Sequence, residues 1–138
     1  MVKQFDNLKE IQKYYDKNTN TYVFVKNKEY IEVVVFGFDL NVEANIDAYD
    51  IEALDINAWN INACNINANN IKARNINAID IDACNINADN ISANNISYHA
   101  VCFAYDSIKC KSIKGRRKNS KHFVLDGELV VEEDEKED

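Results

Sequence analysis

Cysteine and histidine are the side chains of this chain that could supply nucleophilic or metal chemistry. They are Cys64, Cys84, Cys102, Cys110, His99 and His122. Cys102 and His99 are close in sequence, as a thiol and its base would be, but the chain offers no third residue to orient that base. The cysteines also lack the paired CxxC spacing that is typical of a zinc site. We therefore expect no catalytic and no metal-binding residue in this set.

Phosphate binding and acid–base catalysis require patterns that this sequence does not have. It holds only three glycines, Gly37, Gly115 and Gly127, so a glycine-rich phosphate-binding loop is excluded. Aspartate and glutamate are abundant, but most of those in the middle of the chain recur as outward positions of a repeat. We predict a protein that is not an enzyme and that needs no cofactor.

A repeat of five residues dominates the chain and indicates which elements hold its side chains. Isoleucine recurs at every fifth position from Ile46 to Ile96, and alanine follows two residues after each of the first ten. The residue before each isoleucine is Asn or Asp. On a helix these isoleucines would be spread around the axis, and along a straight strand they would alternate between opposite sides. The period therefore predicts short strands that turn a corner every five residues, with isoleucine and alanine facing inward.

The tract resembles the pentapeptide-repeat family over roughly residues 40–100. Units such as Ile56-Asn57-Ala58 and Ile81-Asp82-Ala83 carry the resemblance, although the large and small inward residues stand in the reverse of the family's usual order. The resemblance implies an all-β fold, a right-handed quadrilateral parallel β-helix. Four units would then form a rung of about twenty residues, and residues 41–115 would form roughly three to four rungs.

Residues 1–40 differ from the repeat and predict a small α+β cap at the N-terminal end. The helical spacing of Leu8, Ile11 and Tyr14 predicts one short helix within residues 6–16. Two apolar segments, 21–26 and 29–39, predict a β-hairpin joined near Asn27-Lys28. A solenoid needs such a cap, because its end rung otherwise leaves backbone groups unpaired.

Residues after the repeat are divided by charge. Residues 116–131 predict a basic arm followed by a hairpin about Asp126-Gly127. Residues 132–138 are acidic and predict a tail without fixed structure.

Large apolar residues at outward positions of the repeat are the first candidates for a contact surface. They are Tyr49, Leu54, Trp59 and Ile79. They either pack beneath a terminal segment or form an exposed surface for a protein partner or a second subunit. With rungs of about twenty residues, Cys64 would also stack on Cys84, within the distance range of a disulfide.

The net charge of −7 and its distribution leave three functional hypotheses open. The first is a structural or assembly module that binds another macromolecule, as a monomer or a homodimer. The second follows from the resemblance, since some pentapeptide-repeat proteins mimic DNA: acidic residues such as Asp50, Asp55 and Asp80 would bind a DNA-handling enzyme, for example a topoisomerase or a host-defence nuclease. The third is nucleic-acid binding through the basic segment 109–121, which includes Arg116 and Arg117.

The expected location follows from hydropathy and cysteine usage. The chain has no apolar run long enough to span a membrane and no hydrophobic signal segment at its start. Four cysteines without a disulfide framework favour reduced thiols. We expect a cytoplasmic protein.

Overall fold

The computed structural model of the chain describes residues 2–25 and 31–132, which form a parallel β-solenoid of about six turns. One 3₁₀ helix, Leu8–Tyr14, lies near its start. The strands are β1 (Val2–Phe5), β2 (Tyr15–Asp16), β3 (Thr21–Val23), β4 (Val33–Phe36), β5 (Leu40–Asn41), β6 (Asn45–Asp47), β7 (Asp50–Ala53), β8 (Asp55–Asn57), β9 (Asn60–Asn62), β10 (Asn65–Asn77), β11 (Asp80–Ser92), β12 (Asn95–Cys110), β13 (Ser112–Gly115), β14 (Lys121–Val124) and β15 (Glu128–Val131). The prediction of an all-β solenoid is confirmed.

Strand register shows that three five-residue units, and not four, make one rung. Ile66 lies opposite Ile81 and Ile71 opposite Ile86 where β10 pairs with β11, an offset of 15 residues. The predictions of a quadrilateral coil, of twenty-residue rungs and of three to four rungs are therefore wrong. At this offset each inward isoleucine lies directly on an isoleucine of the next rung and each inward alanine on an alanine, as Ile66 lies on Ile81 and Ala68 on Ala83. That the coil is right-handed stays a prediction.

Each rung has three flat faces. Face 1 consists of β1, β4, β7, the first parts of β10, β11 and β12, and β13. Face 2 consists of β5, β8, the middle parts of the same three long strands, and β14. Face 3 consists of β3, β6, β9, the last parts of the long strands, and β15. The first corner lies between faces 1 and 2, the second between faces 2 and 3, and the third leads to the next rung.

Inward side chains form the core along the whole coil, as the repeat predicts. Every inward isoleucine of the five-residue repeat, from Ile46 to Ile96, is at most 2% exposed, and the alanines of the repeat are buried as well except Ala53, which is half-buried. Near the C-terminal end Tyr98 takes an alanine position and is fully buried. The rung above accommodates it with Gly115, where a Cβ would lie 3.1 Å from the Tyr98 ring and 2.2 Å from the Ser120 Cβ.

The Asn or Asp before each isoleucine forms a hydrogen-bonded ladder along one edge of each face. From Asn60 onward, each Asn Nδ2 of this set donates to the Oδ1 of the residue fifteen positions earlier, as from Asn75 to Asn60 at 2.7 Å and from Asn90 to Asn75 at 2.9 Å. Serine hydroxyls end two of the ladders, since Ser107 donates to the Oδ1 of Asn90 and Ser112 donates to the Oδ1 of Asn95. The ladders join successive rungs through side chains in addition to the backbone pairing.

The N-terminal end is capped, although not by a hairpin. The 3₁₀ helix begins at an Asn7 cap, whose side chain accepts a hydrogen bond from the Glu10 N–H, and it buries Ile11 and Tyr14. A short helix therefore lies where one was expected, but it is a 3₁₀ helix and not an α-helix. The two expected strands also form, but β3 pairs with β6 on face 3 and β4 pairs with β1 and β7 on face 1, so the predicted hairpin is wrong. Its turn at residues 27–28 lies outside the described residues.

The prediction of a C-terminal hairpin is also wrong, because β14 and β15 each pair in parallel with β12 as two sides of the last rung. Gly127 is required by a close approach of two backbones and not by a hairpin turn. A Cβ at this position would lie 1.7 Å from the carbonyl oxygen of Asp106. Of the predicted acidic tail, residues 133–138 lie outside the described residues.

Candidate interaction surface

The four outward apolar residues found in the sequence lie at three different corners and form no common patch. Tyr49 and Ile79 share the third corner, with Cys64 between them in the same backbone hydrogen-bonded column. Leu54 lies at the first corner. Trp59 lies at the second corner beneath Arg74, whose guanidinium carbon is 4.4 Å from the centre of the Trp59 ring.

The same register separates the two cysteines that a twenty-residue rung would have stacked. Cys64 lies at the third corner, where its N–H donates to the Tyr49 carbonyl at 2.7 Å. Cys84 lies at the first corner, between Ala83 and Asn85 of β11. The predicted stacking of Cys64 on Cys84 is therefore wrong, and all four cysteines are free thiols.

Acidic residues that were candidates for DNA mimicry act as hydrogen-bond acceptors in the ladders. They are Asp50, Asp55 and Asp80, which accept from the Nδ2 groups of Asn65, Asn70 and Asn95 respectively, each at 2.8 Å. The ladders run with their donors toward the N-terminal end. An aspartate, which can only accept when ionised, therefore suits the first position of a ladder.

The two arginines of the basic segment are both exposed but differ in their contacts. Arg116 turns back along face 1, where its Nη1 lies 2.7 Å from the Asp82 carboxylate and its Nη2 donates to the Ala83 carbonyl at 3.1 Å. Arg117 is exposed, and its backbone N–H donates to the Ser120 Oγ. The segment therefore belongs to the last rung and is not a separate arm at Arg116.

An exposed aromatic surface, which the repeat pattern did not reveal, covers face 2 and the second corner at the C-terminal end. We call it the C-terminal aromatic surface, and its residues are Val101, Tyr105, Phe123 and Leu125, which are exposed, and Phe103, which is half-buried. The Phe103 and Phe123 rings, on neighbouring strands, have centroids 4.9 Å apart, and Tyr105 packs against Phe103 at 5.5 Å. Tyr105, Phe123 and Leu125 are each about half exposed, at 48%, 47% and 56%.

One inserted residue explains why this surface was missed. A simple continuation of the five-residue period would place Val101 and Phe103 inward as a further unit of the repeat. Instead Cys102 lies opposite Ile86 and is fully buried, which turns Val101 and Phe103 outward. The available signal was Ala100, because an Asn or Asp precedes every inward isoleucine of the repeat and Ala100 breaks that rule.

Titratable groups meet at the C-terminal end of the core. The Tyr98 hydroxyl and the His122 Nδ1 are joined by a hydrogen bond of 2.6 Å, and Cys102 lies directly below His122. Burial, followed by the neighbouring Cys110, raises the pKa of the Cys102 thiol to about 12. Burial likewise raises the pKa of Tyr98 and of Cys110. A thiol held protonated in this way is a poor nucleophile at neutral pH.

The Cys102–His99 pair considered from the sequence does not form, since Cys102 faces the core and His99 is an exposed corner residue. Within the described part of the chain, no group of three or more His, Cys, Asp or Glu side chains could hold a metal ion. Nor does any described helix have the length and apolar character needed to cross a membrane. No protein-family model, no curated protein and no solved structure matches the chain.

Proposed function

We propose that this protein is a non-enzymatic interaction module, a rigid solenoid that presents the C-terminal aromatic surface to another macromolecule. The observation that carries the proposal is a cluster of three neighbouring outward aromatic rings, of which Tyr105 and Phe123 are about half exposed and Phe103 is half-buried. Large exposed apolar patches on soluble domains commonly mark interaction sites, and aromatic residues are enriched in them. The fold does not require an outward aromatic ring on this face, because the place of Phe103 is taken by Asn87 one rung earlier.

Backbone pairing between neighbouring rungs holds this surface in a fixed arrangement. Phe103 and Phe123 stand on strands that are hydrogen-bonded to each other, and Tyr105 follows on the same strand as Phe103. A partner that covers these rings would pay little conformational entropy to order them, since the sheet already fixes their backbone.

The contacts of the acidic residues favour this proposal over the hypothesis that the protein mimics a DNA duplex. Asp50, Asp55 and Asp80 are used as ladder acceptors, and Asp82 forms an ion pair with Arg116. The five-residue unit supports kinship with the pentapeptide-repeat proteins, but the three-sided rung gives a thinner rod than the four-sided coil from which the likeness to duplex DNA was inferred.

The test compares the wild type with a double variant, Phe103→Asn with Tyr105→Asn, in quantitative cross-linking and capture from a cell lysate. The matched control is Leu54→Asn, which removes an exposed apolar residue at the first corner, where Asn69 stands one rung later. We expect specific partners that are retained by the control and lost by the double variant. Identical captured sets for all three proteins would refute the proposed surface.

A second candidate function is the binding of single-stranded nucleic acid, and one observation favours it. Lys121 lies on face 2 beside Phe123, two residues earlier on the same strand, so a cation adjoins the aromatic pair. Neighbouring strands that present aromatic rings next to lysine or arginine are used to stack bases while the cations contact phosphates.

Fluorescence anisotropy with a labelled single-stranded oligonucleotide tests this candidate. Loss of one stacked base costs about 1–3 kcal/mol, so Phe123→Ser should weaken binding by roughly 5- to 150-fold. Lys121→Gln should weaken it less and should reduce the salt dependence. An absence of binding to the wild type at low salt would exclude this candidate without affecting the first.

A further inference from the structure

Charges of opposite sign border the two sides of the C-terminal aromatic surface. Three acidic residues on successive rungs line the second corner: Asp89, Asp106 and Asp126. Three basic residues line the first corner and the start of β14: Arg117, Lys118 and Lys121. From residue 90 to residue 127, Asp106 and Asp126 are the only acidic residues. Within the two rungs that carry the rings, the side at the first corner is therefore basic and the side at the second corner is acidic.

These six charged groups are not used inside the protein. All six residues are exposed, and among the described residues none of their charged groups forms a hydrogen bond or an ion pair. The neighbouring Arg116, by contrast, is paired with Asp82. Protein interfaces commonly have an apolar centre and a polar, solvent-accessible rim. Free charges on both sides of a ring cluster match that arrangement.

The acidic side of the surface separates two classes of partner. A nucleic acid carries negative charge along its whole backbone, so it would be attracted at Lys121 and repelled at Asp106. A protein segment can present acidic groups on one side and basic groups on the other. Like charges set against each other across an interface weaken binding, whereas complementary charges favour the correct partner. The charge pattern therefore favours a protein segment over single-stranded nucleic acid as the occupant of this surface.

The distance between the two charged sides fits an α-helix that lies along the solenoid axis. Lys121 and Leu125 are four residues apart along β14 and its end, which is about 13 Å in an extended chain. An α-helix with its side chains is roughly 10–12 Å wide. The rungs are about 4.8 Å apart, close to the helical pitch of about 5.4 Å. Side chains one turn apart on such a helix would therefore reach Phe103 on one rung and Phe123 on the next.

A second copy of this chain fits the same surface less well. The two-fold arrangement that sets the acidic side of each copy against the basic side of the other keeps the two rods parallel, face 2 against face 2. Lys72 lies two rungs below Phe103 in the same outward column and is exposed. In this arrangement Lys72 would face its counterpart in the other copy. The contact would bury two like charges, which is unfavourable.

We propose that the C-terminal aromatic surface binds an amphipathic α-helix of a partner protein, with acidic residues along one side of its apolar stripe and basic residues along the other. The apolar stripe covers Phe103, Tyr105 and Phe123. The acidic residues of the helix face Lys121, and its basic residues face Asp106. This inference rests on the interaction function proposed above and adds the chemical character of the partner.

Two synthetic helical peptides test the inference with the full chain. Both have the same amino-acid composition and the same apolar stripe, and a side-chain cross-link holds both helical. In the segregated peptide, acidic residues lie on one side of the stripe and basic residues on the other, whereas in the mixed peptide both signs alternate on both sides. In fluorescence anisotropy, we expect the wild type to bind the segregated peptide about tenfold more tightly, because several exposed ion pairs each add a small factor. High salt should remove this preference.

Charge reversal on each side of the surface distinguishes a helix from a nucleic acid. Asp106→Lys and Lys121→Glu should each reduce the preference for the segregated peptide by about threefold or more. For a single-stranded oligonucleotide, Asp106→Lys would instead strengthen binding and Lys121→Glu would weaken it. The matched control, Glu52→Lys, reverses one exposed charge on face 1 and should leave the preference unchanged.

The outcomes separate this inference from the proposed function. Equal binding of both peptides, lost in the double variant Phe103→Asn with Tyr105→Asn, would overturn the helix of segregated charge and leave the interaction surface standing. Binding that the double variant does not weaken would overturn both. The inference also fails if the wild type does not bind the segregated peptide, or if light scattering shows a wild-type dimer that the double variant loses, because a second copy would then occupy the surface. Should a charge variant unfold, the wild type decides the question, since a preference that persists at high salt would refute a contact between charges.

Discussion

The ladder on face 1 contains a gap that a single substitution should close. Among the described side chains, Asn65 donates to Asp50 and Asn95 donates to Asp80, but no bond joins Asn65 to Asp80. An ionised carboxylate has no proton to donate, so the Asp80 oxygens face the Asn65 Oδ1 across a rung without a hydrogen bond. Asp80→Asn would supply an Nδ2 donor toward Asn65 and would keep the oxygen that accepts from Asn95.

The magnitude follows from the neighbouring ladder bonds, which are 2.7–2.9 Å long. One added hydrogen bond of this kind contributes a net 0.5–1.5 kcal/mol or so, because the groups are otherwise hydrated. We therefore expect Asp80→Asn to raise the free energy of unfolding by about 1 kcal/mol, and Tm by roughly 4 °C for a chain of this size. The assay is thermal and urea unfolding followed by circular dichroism.

Two further variants separate the ladder from the change of charge. Asp89→Asn makes the same chemical change at an exposed position of the second corner, outside the ladders, and should alter stability little. Asn75→Asp removes the donor to Asn60 while keeping the acceptor for Asn90, so it should destabilise by about 1 kcal/mol. Equal stabilisation by Asp80→Asn and Asp89→Asn would refute the reasoning, because charge alone would then explain both.

Three other predictions concern the thiols and the last rung. Burial raises the pKa of Cys102 from 9.0 to about 12 in the folded state, so the stability that this thiol contributes is full below pH 9 and is lost as the pH rises toward 12. In urea unfolding, the free energy of unfolding of the wild type should therefore fall by about 2 kcal/mol more than that of Cys102→Ala between pH 7 and about pH 10.5. Cys64 and Cys84 are partly exposed and should react with maleimide in the native protein without forming a disulfide with each other under mild oxidation, whereas rapid labelling of Cys102 would contradict its burial. Gly127→Ala should destabilise by about 1–3 kcal/mol or more, because its Cβ would overlap the Asp106 carbonyl, and an unchanged Tm would contradict that close approach.

Local features of the coil could be predicted from the sequence, whereas the number of units per rung could not. The direction in which Ile66 or Ala68 points depends on the alternation within one strand, which the five-residue period determines. Whether Ile66 lies opposite Ile81 or Ile86 depends on register, and both offsets are multiples of five that bring isoleucine onto isoleucine. A periodic sequence carries almost no information that distinguishes them, so the choice depends on how well the inward side chains fill the interior.

The candidate surface was hidden for a related reason. The chain gains one residue at each of two corners in β12, between Tyr98 and Val101 and between Ala104 and Ser107. Each insertion changes which residues point outward, and its corner gives no strong turn signal in the sequence. The insertion near residues 104–107 interrupts the five-residue period in the sequence, whereas the earlier insertion leaves no such mark, because Val101 and Phe103 are apolar and fit an inward pattern equally well.

The surface assigned to this protein depends on the fifteen-residue rung, because a different rung length would move Phe123 away from Phe103 and would change the charges that border them. Backbone nuclear Overhauser contacts between the strands of the isotope-labelled protein measure that length directly. The account predicts interstrand contacts from Ile66 to the immediate neighbourhood of Ile81. Contacts from Ile66 to the neighbourhood of Ile86 in their place would contradict the three-sided coil, and with it the C-terminal aromatic surface.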